Sequence, residues 1–337
     1  MSDHRPTRVT HPEPGGPQLD EQFRLEEERR AEDQAATYVE GGTSSATAAT
    51  AGLAPGRQAS LWSDAWRQLR RNPLFLVSAT FIAVFVIMAV RPSLFTDADP
   101  RACDLASSLL RPSARHWFGF DLQGCDYYAR VLYGARVSVF VGIVTTGFAL
   151  LIAVVGGSLA GYYGGLVDTL IARVTDVWYA VPEILFAIVI LSVLGTRGLR
   201  QVTIVLVVLF WRTMLRLMRS SVLSAKEMDY VQAARALGAG DLRILARHIL
   251  PNAIAPVVVY ATITVGIVIA VEATLSFLGV GLQLPAISWG LMINVAQSYL
   301  LQAPHLLLFP ALFLSVTVFS FILMGDALRD ALDPRLR

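Results

Sequence analysis

The sequence predicts an all-α membrane protein in which six transmembrane helices carry a polar, two-helix insert between the fourth and fifth spans. Three observations predict it. Mean hydropathy is +0.53, and charged residues make up 16% of the 337 positions, well below the share usual in soluble domains. The charges are also segregated, so that apolar runs long enough to cross roughly 30 Å of hydrocarbon at about 1.5 Å per residue alternate with polar connections. The connection at 220–252 carries helix start and stop signals of its own.

Residues 1–60 have another character, a charged block from Glu21 to Asp33 followed by a Gly/Ser/Thr/Ala-rich stretch. They lack the apolar content to offset their ordering entropy, which predicts a disordered cytosolic tail, with docking on a partner as the alternative. No signal peptide is expected, because the first apolar run lies far from Met1 and would be retained as a span. Trp62, Trp66 and Leu69 then recur at helical spacing while Arg67, Arg70 and Arg71 take other positions. This predicts an interfacial helix over 61–73 ending at Asn72-Pro73, or else a cytosolic extension of the first span.

The spans follow in order. Leu74 to Val90 is uncharged, and Val137 to Ala160 is long enough to tilt. Val177 to Leu194 is interrupted only by Pro182 and Glu183, and Gln201 to Trp211 becomes long enough if it continues through Arg212. Pro251 to Val271 and Leu306 to Gly325 complete the transmembrane region, 74–337. Short connections that keep their basic residues mark the cytosolic side. Arg67, Arg70 and Arg71, then Arg212, Arg216, Arg219, Lys226, Arg235, Arg243 and Arg247, then Arg329, Arg335 and Arg337 all fall on one side of a six-span chain, which puts both termini in the cytosol.

That topology makes 91–136 an external loop, and it holds both cysteines, Cys103 and Cys125. On an oxidising face they can close a disulfide worth roughly 2–4 kcal/mol of loop order. The alternatives are unpaired thiols, or a metal site for which His116 and the nearby aspartates supply too few ligands. Gly119 and Gly124 are placed to shape turns.

In the cytosolic connection, Ser224 and Glu227 read as an S-x-x-E capping box that starts a short helix. Gly238 can take the left-handed conformation that ends it. Asp241 favours a second helical start, and Pro251 marks the beginning of the next span. Val231, Ala234 and Leu237 share one face of the first helix, with Asp229 and Arg235 pointing elsewhere.

The run Tyr230-Val-Gln-Ala-Ala-Arg-Ala-Leu-Gly238, followed by Arg247-His-Ile-Leu-Pro-Asn252, resembles the EAA loop of ABC-importer permeases. Gly161-Tyr-Tyr-Gly-Gly165, Glu272-Ala-Thr-Leu-Ser-Phe-Leu-Gly279, Ser288-Trp-Gly290 and Gly325-Asp-Ala-Leu-Arg-Asp-Ala-Leu-Asp-Pro-Arg335 are similar to the dipeptide, oligopeptide and nickel permease family. His116-Trp-Phe-Gly-Phe-Asp121 and Val131-Leu-Tyr-Gly-Ala-Arg136 resemble that family's external approach to the second span. The resemblance runs from about Trp62 to Arg337.

It implies the type I ABC importer permease fold in a bacterial plasma membrane. The partners it implies are a related permease, one or two kinds of ATPase and an extracytoplasmic substrate-binding protein. The insert would sit in a groove of the ATPase through Ser224, Glu227, Asp229, Tyr230, Gln232, Ala233, Ala234, Gly238, Asp241, His248 and Pro251. Gln232 stands where the EAA loop usually has its glutamate, leaving Glu227 or Asp229 as the acidic groups at hand.

ATP chemistry is not expected on this chain. A P-loop needs G-x-x-x-x-G-K-[ST] to hold phosphates, and Lys226, the only lysine, is followed by Glu227. ATP and Mg are therefore expected on partner subunits, with no cofactor here. His4, His11, His116, His248 and His305 show neither metal-ligand nor triad spacing, and no nucleic-acid partner is expected. Carboxylates inside spans are the candidates for contact with cargo, since an ion in hydrocarbon must face water or a partner. These are Glu183, just after Pro182, and Glu272. Asp168, Arg173 and Asp176 read as a salt-bridged helix end.

The function the resemblance implies is alternating access for di- or oligopeptides, with the insert as a rigid lever. The same machine carrying nickel ion is the first alternative. A secondary transporter would need inverted repeats and several ion-coupling groups, and a purely structural membrane protein would have no use for the insert.

Overall fold

The computed structural model describes residues 61–195 and 197–332. The predicted tail, 1–60, and the end of the carboxyl motif, 333–337, lie outside them. The described residues are helical, with two isolated antiparallel bridges, Cys103 to Cys125 and Phe120 to Asp126, in place of any strand.

Helix α1 (Leu61–Leu69) buries Ala65 and Leu69 against Ala327 and Ala331, while Trp66 is left 52% exposed. The predicted face of Trp62, Trp66 and Leu69 is therefore divided, because the small Ala65 allows closer approach than an indole would. The Trp62 side chain lies outside the description. Asn72 then caps α2 (Pro73–Val90) by accepting a hydrogen bond from Leu74 N (2.9 Å), and Pro73 fills the first position of that helix.

Helix α3 (Tyr127–Tyr163) starts at Tyr127 rather than at the predicted Val137, so the external loop ends at Asp126 instead of Arg136. Asp126 caps the helix through Ala129 N (2.9 Å). Arg136 satisfies itself on the carbonyls of Ala89 (3.1 Å) and Val90 (3.2 Å), which lets a charged turn continue the helix.

The predicted third span is not one helix. Helices α4 (Gly165–Tyr179) and α5 (Glu183–Leu194) meet at 84°, because Pro182 has no N–H to continue the ladder. Among the described residues, five helices are long and apolar enough to cross a membrane, or six if this bent pair counts as one.

Helix α6 (Leu199–Lys226) lies along α3. Their approach depends on small residues at four-residue spacing, Ala149, Ala153, Gly157 and Gly161. A Cβ on Gly157 would lie 2.7 Å from Leu215 O, and one on Gly161 2.8 Å from Arg219 O. After α6 come α7 (Asp229–Ala236), α8 (Ala255–Phe277), α9 (Trp289–Ala296) and α10 (His305–Leu332). The short α9 is pinned by fully buried Trp289, whose Nε1 donates to Val131 O (2.9 Å) over Gly134.

Candidate functional site

The insert between α6 and α8 begins differently from the expectation. No capping box forms at Ser224 and Glu227. Burial of Val222 and Ala225 carries α6 on through Lys226, so Ser224 sits in a helix interior and Glu227 at its end. An N-cap needs extended backbone, which Ser224 does not have. Met228 takes that position for α7 without a side-chain hydrogen bond.

The other end follows the expectation in detail. Gly238 has φ +79°, its N–H donates to Arg235 O (3.0 Å), and Ala239 N donates to Ala234 O (3.1 Å), the two bonds of a Schellman ending. Val231 and Ala234 are buried, whereas Leu237 is 88% exposed, since the chain has already turned away at the cap.

Beyond Asp241 the backbone makes one helical turn, Asp241–Arg243, then a π-helical turn, Ile244–Ile249, then Leu250–Ala253. Pro251 lies inside this run and does not open the next span, which begins at Ala255 with Pro256 in its first turn. The missing N–H of Pro251 leaves Arg247 O without its helical donor, and the turn widens so that Leu250 N reaches Leu245 O.

Of the predicted coupling residues, Ser224, Glu227, Asp229, Tyr230, Gln232, Ala233, Gly238, Asp241 and Pro251 are exposed. Ala234 is buried and His248 half-buried. Gln232 folds its amide back onto Lys226 O (3.3 Å).

Sequence reasoning missed what mounts this insert. Tyr162, buried at the end of α3, donates from its hydroxyl to Asp241 Oδ1 (2.7 Å), and Lys226 Nζ donates to Tyr162 O (2.7 Å). The ammonium also lies 5.6 Å from the Tyr162 ring centroid. The signal was Gly161-Tyr-Tyr-Gly-Gly165, where Gly164 (φ +65°) ends the helix so that the tyrosine faces the insert.

Around the broken span, Asp168, Arg173 and Asp176 do not form the predicted pairs within one helix. Arg212, Arg216 and Arg219, spaced i, i+4 and i+7, share a face of α6 and draw the acidic groups across to it. Arg212 pairs with Glu183, Arg216 Nη2 stands 3.6 Å from Asp176 Oδ1, and Arg219 grips Asp168 through both oxygens, Nη2 to Oδ2 at 2.6 Å. The Tyr179 ring lies under two of them, with guanidinium carbons 5.0 Å (Arg212) and 4.1 Å (Arg216) from its centroid. Glu183 thus keeps a half-exposed place at the break.

Glu272 does not. Its side chain is 0% exposed, and its carboxylate accepts from Ser276 Oγ (2.8 Å), which in turn accepts from Leu282 N (3.0 Å). It ties α8 to the following loop, and close contact of Gly290 with Ala273 and Ser276 covers that side of the helix.

In the loop before α3, Cys103 and Cys125 are joined by a disulfide. Asp121 organises the same loop by accepting from Gln123 N and Cys125 N (both 2.9 Å) and pairing with Arg130. Gly119 and Gly124 both have φ +72°, and a Cβ on Gly124 would overlap Asp104 O. A cavity of about 510 Å³ opens between this loop, the Gly279–Ile287 connection and α9.

A bundle of apolar helices with one broken span and a helical insert hung from its end is the framework of a membrane transport component. The chain belongs to the family of binding-protein-dependent transport system inner membrane components, whose model matches residues 153–337. A second model, the N-terminal TM domain of oligopeptide transport permease C, matches residues 60–112.

Curated relatives agree. The oligopeptide transport system permease protein OppC of Bacillus subtilis is 40% identical over 278 residues, covering 82% of this chain and 91% of that protein. The dipeptide transport system permease protein DppC of Alkalihalophilus pseudofirmus is 39% identical over 82% of this chain and 90% of its own. The glutathione transport system permease protein GsiD of Escherichia coli is 38% identical over 82% and 91%. A solved chain of the inward-facing MetNI methionine ABC transporter superposes on 60% of this chain and 96% of its own, with a TM-score of 0.49 and 20% identity. The protein is a transmembrane permease subunit of an ABC importer.

Proposed function

We propose that this permease carries di- or oligopeptides inward across a bacterial plasma membrane, working as a heterodimer with a related permease. One or two ATPase subunits bind ATP and Mg, and an extracytoplasmic binding protein delivers the cargo. Both termini lie in the cytosol, the side where the arginines of the insert and of α10 fall. The chain contributes no P-loop, and its one lysine, Lys226, is engaged with Tyr162.

The observation that carries this reading is the mounting of the insert. Exposed Tyr230, Leu237 and Leu242 offer an apolar surface to a partner, while Val231, Ile244 and Ile249 are buried with Met218 and Val222 of α6. A push on the exposed side therefore reaches α6 through packed side chains and α3 through Tyr162. The Schellman ending and the π turn give the lever defined ends.

Peptide cargo is supported by the names of the relatives, and none of those named is a nickel permease. The test is uptake by proteoliposomes holding the full complex and its binding protein, offered labelled dipeptide, longer peptide or nickel ion. ATP-dependent peptide uptake is expected. Uptake of nickel alone would replace the cargo, and uptake driven by an ion gradient without the ATPases would replace the mechanism.

A further inference from the structure

The three ion pairs between α6 and the broken span are not equivalent. Arg212 is nearly buried, at 7% side-chain exposure, donates also to Leu209 O (3.3 Å) and pairs with Glu183. Arg219 and Asp168 hold each other through two bonds. Between them, Arg216 and Asp176 make a single 3.6 Å approach, with side chains 56% and 58% exposed. That distance is beyond a hydrogen bond, so the carboxylate and the guanidinium donors remain open to another partner.

The depth of this pair gives it meaning. By the sidedness of Arg212, Arg216 and Arg219 it lies in the cytosolic half of the broken span, where Pro182 separates the two limbs. Exposed ions at that depth face a water-filled path or a polar partner, not lipid. Two features at the same break lack partners of their own. Arg212 Nε is buried without a hydrogen bond, and Pro182, the N-cap of α5, puts no side chain on the first N–H groups of that helix.

We propose that Arg216 and Asp176, at the break beside the Tyr179 ring, form a site for the charged ends of the transported peptide, Arg216 taking its carboxylate and Asp176 its ammonium group. The assignment rests on the peptide reading above. The Tyr179 ring, 4.1 Å from the Arg216 guanidinium, fixes the cation before cargo arrives, so little ordering remains to be done on binding. Guanidinium and carboxylate match in a two-bond fork.

A dipeptide spans at most about 7 Å and can reach both residues once their loose contact opens, while a longer peptide engages one end at a time. The surrounding surface is apolar and exposed at Val174, Val177 and Leu185. It reads no particular side chain, whereas the two charges read the terminal ions that all free peptides share.

The test uses the full complex with its binding protein in proteoliposomes, with Arg216→Gln and Asp176→Asn compared to wild type. Both side chains are more than half exposed, so the variants are expected to fold and to co-purify with the sister permease. The probes are labelled Ala-Ala, its carboxamide and its N-acetyl form, with ATP hydrolysis measured in parallel. Arg216→Gln should lower Ala-Ala uptake by about tenfold or more, the loss expected for one charge-assisted hydrogen bond. Its free-acid over carboxamide preference should collapse while ATP hydrolysis stays within about twofold. Asp176→Asn should do the same to the preference for free amine over N-acetyl.

Because each ratio is taken with the same binding protein, selection at that earlier step cancels. Wild-type uptake with unchanged ratios in both variants would overturn the site. So would loss of the sister permease on purification, which would make the pair a subunit contact. A wild-type complex that moved no peptide would instead remove the peptide reading.

Discussion

The loop between α2 and α3 and the insert between α6 and α8 are both polar interruptions of an apolar chain, yet they are held in opposite ways. The loop is bonded chiefly to itself, through the Cys103–Cys125 disulfide, the N–H groups gathered by Asp121 and two left-handed glycines. It touches the bundle at a few points, among them Phe118 stacked on Phe309 with ring centroids 3.7 Å apart. The insert's internal bonds are those of its own short helical turns, and its apolar side chains belong to a cluster that includes Met214, Met218 and Ala149 of the spans. A part bonded within itself keeps its shape whatever touches it. A part bonded to the spans moves with them, which is what the proposed lever requires.

The strongest way to break that contrast is to disturb the platform on which the insert is mounted. Gly161→Leu places a side chain where a single Cβ already meets Arg219 O at 2.8 Å and Val222 Cβ at 2.9 Å, so α3 and α6 must separate beside Tyr162. Overpacking at backbone contact should cost roughly 3 kcal/mol or more. Thermal unfolding in detergent should show a large drop, and uptake should vanish. A variant with wild-type melting and uptake would show that the α3–α6 contact is not the base of the lever.

How much of this was legible in the sequence depends on whether a local signal met tertiary opposition. Leu74 to Val90 was read almost to the residue because nothing competes with an uncharged run capped by Asn72. The start of α3 was not, since Arg130 and Arg136 look like a loop until Asp121 and the α2 carbonyls are seen to receive them. Ser224-x-x-Glu227 is a genuine local motif overruled by the burial of Val222 and Ala225.

At the broken span, Pro182 announced an interruption but not an angle of 84°. Glu183 was picked out while its partner was not, because Arg212 was read as a marker of sidedness and not as one rung of an i, i+4, i+7 series. The Ala149, Ala153, Gly157, Gly161 series was available at four-residue spacing, and hydropathy alone passes over it, since small residues neither raise nor lower an apolar run.

A finer cut at the contrast removes one bond between insert and spans. Tyr162→Phe keeps the buried ring and the cation–π contact with Lys226 but deletes the hydroxyl that donates to Asp241. Asp241 is exposed and can turn to water, so the loss should be about 1 kcal/mol, which is about fivefold in any equilibrium the bond biases. The expected result is normal assembly and ATP hydrolysis with several-fold less peptide moved per ATP. Equal losses in hydrolysis and uptake would place Tyr162 in assembly and not in transmission.

The smallest effect on transport is expected where the loop's self-bonding is cut. Replacing Cys103 and Cys125 together by Ser removes a cross-link across a separation of 22 residues, worth roughly 2–4 kcal/mol of local order. The loop would still keep Asp104 N on Gly124 O (3.1 Å), Asp121 N on Cys125 O (3.1 Å) through the unchanged backbone, and the Asp121–Arg130 pair. Limited proteolysis should therefore cut between 104 and 124 faster than in wild type, while uptake at saturating binding protein stays within about twofold. If uptake instead fell as far as in Tyr162→Phe with hydrolysis unchanged, the loop would be transmitting force as well, and the division between a self-bonded loop and a span-bonded lever would not hold.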